Sequence, residues 1–105
     1  MIQIPDQDYQ PRDPHGAGNV AVTLADRDGA VVIVAVPPGS EAEYAGLEPD
    51  DVLAGVGGNP VTSAEQARDR LGGPITHDVI LDVDRSNGSG TDRIRLRVRR
   101  EAVRR

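Results

Sequence analysis

The chain has 105 residues, enough for one domain with a modest core and too few for a second lobe that would close an enzyme cleft. Its formal net charge of −5 gives no overall attraction for nucleic acid, and the absence of cysteine excludes a disulfide framework and any thiolate metal site. Aromatic residues make up only 2% of the sequence, so the core must be built from Val, Leu, Ile and Ala, which favours strands.

The first segment, residues 1–17, contains several Pro, Asp and Gln residues and few apolar side chains. This composition predicts a flexible N-terminal arm or linker, and the alternative is a short edge strand around Ile2 and Ile4. The start of the chain lacks the pattern of a signal peptide, and no apolar run has the length that spans a bilayer.

A β-hairpin is predicted next. The segment Val20–Leu24 alternates apolar with small or polar residues, as a strand with one buried face does. Its turn is Asp26–Gly29, which ends in the Asp-Gly pair typical of hairpins. An Asp-x-Asp-Gly start also opens calcium loops, but Ala30 and Pro37 stand where further oxygen ligands are required, so calcium is not predicted.

The central stretch, Val31–Val61, is the most regular part of the sequence. It opens with the continuous apolar run Val31–Val36, which has the length of a strand buried on both faces, and Pro37 ends that strand. A second strand is predicted at Val52–Val56, after the turn Leu47–Asp51.

A short helix is predicted between these two strands. Ser40 and Glu43 have the spacing of a capping box, in which both side chains take free N–H groups at the helix start. Gly46 stands where a left-handed C-terminal cap belongs. The order strand, short helix and strand is therefore predicted for this stretch.

A second helix is predicted after residue 61. Ser63 and Gln66 form another capping box, and the helix runs to Leu71, where Gly72 as a left-handed cap and Pro74 as a stop end it. Residues at spacings of three, four and seven share one face of this helix. They are Ala64, Ala67, Arg68 and Leu71.

Two antiparallel strands are predicted at the end of the domain, Asp78–Arg85 and Asp92–Arg99, joined by the loop Ser86–Gly90. Alternate positions of the second strand are Arg. Asp82 and Asp84 on the first strand can pair with these arginines across the ladder. We therefore interpret the arginines as a solvated face rather than a basic binding stripe.

Together these elements predict a mainly β fold with two helices (α+β). Five to six short antiparallel strands form a small, partly open barrel, capped by one short and one longer helix. The predicted domain covers residues 18–99, and residues 100–105 are predicted to be a frayed C-terminal tail.

No constellation for catalysis or for a cofactor is found in the sequence. His15 lies in the N-terminal arm and His77 in a loop, and neither has the neighbours of a zinc or nucleophile motif. The glycines at Gly55–Gly58 lack the Lys-Ser/Thr that completes a phosphate loop, and aromatic side chains for stacking bases are missing. A noncatalytic domain without metal or cofactor is therefore predicted.

The central stretch resembles one known family, the PDZ domain. The sequence of residues 39–61 is GSEAEYAGLEPDDVLAGVGGNPV, and the family's pattern there is roughly Gly-Ser-x-Ala-x-x-Ala-Gly-Leu-x-x-Gly-Asp-x-Ile-x-x-Val-x-Gly-x-x-Val. The matching positions are Gly39, Ser40, Ala42, Ala45, Gly46, Leu47, Asp51, Val56, Gly58 and Val61. Asp50 stands where the family usually has glycine, and Asp tolerates left-handed backbone better than most residues.

The resemblance implies a peptide-binding groove. In PDZ domains a C-terminal peptide adds as a strand beside the second strand and against the second helix, and a loop usually written Gly-Leu-Gly-Phe holds its carboxylate with N–H groups. The corresponding carboxylate loop here is Asn19, Val20, Ala21 and Val22, in which Ala21 replaces a glycine and Val22 the phenylalanine. The implied side-chain pocket consists of Val20, Val22, Leu24, Ala64, Ala67, Arg68 and Leu71.

The pocket residues imply a preference for small or aliphatic terminal residues. Ala64, at the first helix position, cannot hydrogen-bond a hydroxyl, so an apolar side chain is expected two residues before the peptide terminus. Arg68 on the groove rim would attract an acidic residue upstream in the peptide, or else lie over Leu71 as an ordinary exposed helical side chain.

The implied function is a noncatalytic module that binds C-terminal or extended protein segments. The sequence looks most like the modules of bacterial trypsin-like envelope proteases, and C-terminal processing proteases carry similar ones. A bacterial envelope setting without insertion into the membrane is expected from this resemblance. The alternatives are a structural module whose groove is occluded by residues 1–17 or a neighbouring domain, and a homo-oligomer formed at an open edge strand.

Overall fold

The structure, a computed structural model, describes residues 17–102. Within this range it contains nine strands and two helices. The strands are β1 Ala17–Asn19, β2 Thr23–Arg27, β3 Ala30–Ala35, β4 Val52–Val56, β5 Asn59–Pro60, β6 Gly73–Pro74, β7 Val79–Ser86, β8 Thr91–Val98 and β9 Glu101–Ala102. The helices are α1 Glu41–Ala45 and α2 Ala64–Leu71.

The strands form two antiparallel sheets. The larger has the order β2-β3-β4-β7-β8, with β5 paired to β4, so that β2 and β8 are its edges. The smaller has the order β6-β1-β9. The predicted mainly β fold with two helices is confirmed, and the strands that exceed the predicted number are short pieces of two or three residues.

One apolar cluster of Val, Leu, Ile and Ala side chains fills the centre of the domain, as the composition requires. The strand β3 is buried from Val31 to Ile33, the residues whose main chain bonds to β4 or to the turn just before it, and exposed at Val34 and Ala35. Val34 is 40% exposed. The prediction that Val31–Val36 is buried on both faces is therefore wrong for the end of the run.

The helix α1 begins and ends at the predicted local signals. The Ser40 hydroxyl accepts the Glu43 N–H at 3.1 Å, and the Glu43 carboxylate accepts the Gly39 N–H at 2.8 Å. The glutamate thus reaches one residue further back than in the standard capping box. Gly46 is left-handed, with φ of 105°.

The start of α2 has the same arrangement. The Ser63 hydroxyl accepts the Gln66 N–H at 3.1 Å, and the Gln66 side-chain oxygen accepts the Thr62 N–H at 2.8 Å. Both predicted capping pairs therefore satisfy free donors at a helix start.

The end of α2 differs from the prediction of a left-handed cap at Gly72, which has extended backbone with φ of −76° and ψ of 150°. The Arg100 guanidinium takes the free carbonyl groups instead. Its Nε donates to the Leu71 oxygen at 2.8 Å, and its Nη atoms donate to the oxygens of Arg70 at 3.3 Å and His77 at 2.9 Å. A distant side chain thus replaces the local cap.

Two glycines leave room for this arginine. A Cβ atom at Gly73 would lie 2.8 Å from Cζ of Arg100, and a Cβ atom at Gly18 would lie 2.9 Å from Cβ of Arg100. The chain after Arg100 forms β9, which pairs with β1. The predicted frayed tail is therefore wrong for residues 100–102, whereas residues 103–105 and the arm up to residue 16 lie outside the described residues.

An ion pair between a buried carboxylate and a half-buried arginine fixes the corner between α1 and β4. The Asp51 carboxylate is 2% exposed and accepts two hydrogen bonds from Arg85 of β7, at 2.9 and 2.8 Å. Arg85 also donates to the Gly46 oxygen at 2.7 Å, and Asp51 accepts the Glu48 N–H at 3.0 Å. We call these residues, Gly46 to Asp51 with Arg85, the scaffold corner.

The hydrogen bond to Asp51 raises the pKa of the Arg85 guanidinium above its ordinary value, more than desolvation lowers it. A raised arginine pKa adds stability that is fully present below the ordinary pKa and is lost only as the pH rises through the raised value. The contribution of Arg85 to the stability of the corner therefore does not change with pH in the neutral range.

The left-handed turn expected at Asp50 is present, with φ of 75°. The Asp50 N–H donates to the Ile33 oxygen at 2.7 Å, which ties the turn to β3. The hairpin between β2 and β3 is also confirmed, since Asp28 and Gly29 both have positive φ, 51° and 80°.

Two arginines of β8 pair with aspartates across the ladder as predicted. Arg95 donates to Asp82 at 2.9 Å, and Arg93 is hydrogen-bonded to Asp84. The arginine side chains of both pairs are more than half exposed. They form a solvated face of the sheet.

Candidate functional site

Within residues 17–102 no group of three or more His, Cys, Asp or Glu side chains converges as metal ligands would. His77 is exposed in the loop between β6 and β7, and His15 lies outside the described residues. In the same range no helix combines the length and apolar character needed to cross a membrane. The candidate site is instead the edge of the larger sheet beside α2.

The strand β2 has an open outer edge at Leu24. Ile33 of β3 directs both main-chain groups towards the start of β4, because its N–H donates to Asp51 at 2.8 Å and its oxygen accepts from Asp50 at 2.7 Å. Leu24 pairs with Ile33. Directly opposite residues of an antiparallel pair direct their main-chain groups either towards each other or both outwards. Because the groups of Ile33 point away from β2, the N–H and C=O of Leu24 point away from β3, towards α2.

The predicted pocket residues come together beneath this edge. The side chains of Val20 and Leu24 and the buried face of α2 belong to one apolar cluster, and Val22 packs against it. The α2 residues in that cluster are Ala64, Ala67 and Leu71. They are all core residues, and their role as a ligand pocket stays a prediction.

Two hydrogen bonds join β2 to α2 across the site. The Asp26 carboxylate accepts the Ala64 N–H at 2.8 Å, at the start of the helix. One turn further, Arg68 donates from Nη2 to the Leu24 oxygen at 3.3 Å. Arg68 is exposed and lies at the open edge, and its hydrogen bond to the main chain of β2 is a contact that the sequence did not indicate.

The predicted carboxylate loop lies before β2. The predicted strand Val20–Leu24 is wrong at its start, because the strand begins at Thr23 and residues 20–22 form a loop. Val20 is buried, and its N–H donates to the Asn19 side-chain oxygen at 2.8 Å. One of the three loop donors is therefore bound by the loop's own side chain.

A pocket of about 590 Å³ adjoins this loop. Its lining residues are Asn19, Val20, Ala21, Val22, Pro37, Pro38, Gly39, Ser40, Glu101 and Ala102. The Glu101 carboxylate accepts the Glu41 N–H at 2.8 Å at the start of α1. An anion in this pocket would meet loop N–H donors on one side and a carboxylate on the other.

Three residues that shape the site were missed by the sequence. Asp26 was interpreted as part of a turn, and Glu101 and Arg100 as part of a frayed tail. Their partners lie 23 or more residues away in the chain. No local signal in the sequence marks such contacts.

Comparison with protein families identifies the chain. The sequence model described as "PDZ domain" matches residues 32–85, more than half of the chain. The chain therefore belongs to the PDZ domain family, as the resemblance of residues 39–61 predicted. A comparison with curated proteins finds no match.

Two solved structures illustrate the relationship. The chain is similar to the photosystem II D1 C-terminal processing protease, with a TM-score of 0.67 and 27% identity over 84% of this chain and 24% of that one. It thus spans about a quarter of that protein's length. It is also similar to the PDZ domain of the carboxy-terminal protease from Vibrio cholerae in complex with a peptide, with a TM-score of 0.69 and 20% identity over 84% of this chain and 98% of that one.

The protein is thus a PDZ domain related to those of C-terminal proteases. This relationship suggests a peptide-binding module, and PDZ domains are generally noncatalytic. Both structures come from C-terminal proteases, whereas the sequence looked most like the modules of trypsin-like proteases.

Proposed function

We propose that this domain binds C-terminal or extended protein segments by β-strand addition to the outer edge of β2, against α2. The observation that supports this most strongly is the outward N–H and C=O of Leu24, on a strand that pairs only with β3 among residues 17–102. Such an unpaired edge is a template for another strand, and the helix beside it gives the added strand a wall.

The direction of the ligand follows from this edge. An antiparallel ligand strand brings its C-terminal end to the start of β2, where the loop Asn19–Val22 lies. The terminal carboxylate would accept loop N–H groups, and the Val20 N–H becomes available when the Asn19 side chain leaves it.

The ligand's side chains alternate between two faces. The terminal residue and the third residue from the end point towards α2. There Leu24 and Leu71 are buried and Val22 is half-buried, so the ligand would reach an apolar surface as α2 moves away from β2. A small or aliphatic terminal residue fits such a surface. We expect a dissociation constant in the micromolar range or weaker, about −8 kcal/mol or less favourable.

The role that fits the relatives is substrate recognition or regulation in a bacterial envelope protease. This proposal is supported by the similarity to two C-terminal protease structures. In one of them, the photosystem II D1 processing protease, the similar region makes up only 24% of a longer protein. The proposal includes a protease domain in the same parent protein. It also includes a periplasmic, extracellular or membrane-associated location. Recovery of the tagged parent protein in the cytosolic fraction would contradict the location.

The binding proposal is tested by titration of the 15N-labelled domain with short peptides that end in Val or Ala. We expect saturable amide shifts at Val22, Leu24 and the residues of α2, and none at Val34 on the far part of β3. The matched control is the same peptide with an amidated C-terminus, which lacks the carboxylate. If no free-carboxylate peptide produces a saturable shift, the proposal is wrong.

A structural module with an occluded groove is the second candidate. It is favoured by one observation, that the Val20 N–H and the Leu24 C=O both have partners from the domain itself. Here residues 1–17 or a neighbouring domain would fill the groove. Peptide binding that appears only after deletion of residues 1–16 would support this reading, and equal binding by both forms would contradict it.

A further inference from the structure

We infer that Arg68 determines specificity: it holds the Leu24 carbonyl in the empty groove and selects ligands with a carboxylate side chain at the third residue from the C-terminus. This inference rests on the proposed function. It starts from the hydrogen bond that Arg68 Nη2 donates to the Leu24 oxygen at 3.3 Å.

The contact competes with a ligand strand. A strand added at this edge needs the outward C=O of Leu24 as an acceptor for its own N–H. The guanidinium occupies the space beside that oxygen, along the path of the added strand. The ligand must therefore displace Arg68 before it can pair with Leu24.

The contact is weak enough to be displaced. It is a single hydrogen bond, slightly longer than the usual range, and its acceptor carries no charge. Arg68 is exposed, so water solvates the guanidinium once it leaves.

Arg68 has no acidic partner within residues 17–102. The ion pairs of this range are formed by Arg85, Arg93 and Arg95. The nearest carboxylate on β2, that of Asp26, is bound to the Ala64 N–H instead. A displaced guanidinium therefore gains most from a carboxylate that the ligand supplies.

The position of that carboxylate follows from the pairing. If the terminal residue lies beside Val22, at the end of the loop, the residue that exchanges hydrogen bonds with Leu24 is the third from the end. Paired residues direct their side chains to the same face, and Leu24 directs its side chain beneath α2. An acidic side chain at this position points towards α2 and can reach Arg68, where the neighbouring Ala64 alone would favour an apolar one.

The test compares two peptides that differ in one residue, ending in Glu-Ala-Val and Gln-Ala-Val, by isothermal titration calorimetry. We expect the wild-type domain to bind the Glu peptide roughly two- to fivefold more tightly, the range of an exposed ion pair with good geometry. Arg68→Met keeps the aliphatic stem and removes charge and donors. It should abolish this preference and bind the Gln peptide more tightly than the wild type does.

The matched control is Arg70→Met, which makes the same change on the same helix, where the side chain of Arg70 borders a different pocket from the loop. It should keep the wild-type preference. Arg68→Lys, which keeps the charge, should retain part of it. Equal affinities for the two peptides in wild type and Arg68→Met would overturn the inference while leaving peptide binding intact.

A readout without ligand separates the two proposals further. The carbonyl 13C resonance of Leu24 in the free domain should shift on Arg68→Met and stay in place on Arg70→Met. No shift in the first variant would overturn the inference whatever the peptides do. A shift combined with no binding of any peptide would contradict the proposed function, and with it the ligand selection, while retaining the contact itself.

Discussion

The scaffold corner and the groove both depend on an arginine that reaches from one element to another, but they do so with different strength. In the corner, Arg85 makes three hydrogen bonds of 2.7–2.9 Å, two of them to a carboxylate that is 2% exposed. In the groove, exposed Arg68 makes one hydrogen bond of 3.3 Å to a neutral oxygen. The corner holds the fold in one arrangement, whereas the groove is held by a contact that a ligand can replace.

The largest expected effect comes from the corner. Arg85→Ala leaves the Asp51 carboxylate buried without its partner, which we expect to lower the free energy of unfolding by about 3–5 kcal/mol. Urea denaturation followed by circular dichroism measures this loss. The control is Arg93→Ala on the neighbouring strand, whose exposed pair with Asp84 should contribute nothing measurable. Similar losses in the two variants would remove the distinction between corner and surface.

The next effect concerns the groove helix. Arg100→Ala removes the donors for several carbonyl groups at the end of α2, which should cost about 1–3 kcal/mol of stability. Gly73→Ala should also destabilise, because its Cβ would lie 2.8 Å from the guanidinium carbon. In the double variant the Gly73→Ala loss should shrink, since the clash is gone. Strictly additive losses would show that the two residues act independently.

The smallest expected effect is at the turn within the corner. Asp50 has φ of 75°, where any side chain is strained and glycine is not. We expect Asp50→Gly to raise the free energy of unfolding by about 0.5 kcal/mol, after the greater freedom of glycine in the unfolded chain is counted. Asp50→Ala, which keeps a Cβ and loses the polar group, should lower it by a similar amount. A stabilising alanine would contradict the observed left-handed turn.

The sequence predicted the elements whose signals are local. Ser40 with Glu43, Gly46, and the strand Val52–Val56 all appear in the structure where the sequence placed them. Each is determined by residues a few positions apart, so the pattern in the chain is also the pattern of the contacts. The same holds for the left-handed turn at Asp50.

The prediction from sequence was wrong where a contact from a distant residue replaces a local signal. Gly72 is the residue type that usually forms a left-handed cap. Because Arg100 binds the carbonyl groups at the end of α2, the cap is not needed. The second glycine, Gly73, leaves room for that arginine. The burial of β3 was overestimated because contact with the β4 side of the sheet ends at Ile33, which leaves Val34 and Ala35 exposed.

The candidate site was predicted by resemblance rather than by physical pattern. The pocket residues were identified because the family places them there, and the structure brings the apolar ones into one cluster. The contact between Arg68 and Leu24 spans 44 positions of the chain, and the contact between Asp26 and Ala64 spans 38. Neither pair has a spacing that a sequence pattern could reveal.

The central claim is that a ligand strand pairs with the outward main-chain groups of Leu24, and backbone methylation of a binding peptide tests it most directly. Methylating the nitrogen of the third residue from the C-terminus removes the N–H that should donate to the Leu24 oxygen, and binding should be lost in a calorimetric titration. Methylating the second residue from the end, whose N–H should face away from β2, should leave the affinity nearly unchanged. Equal losses from the two methylations, or retention of binding by both, would contradict strand addition at this edge.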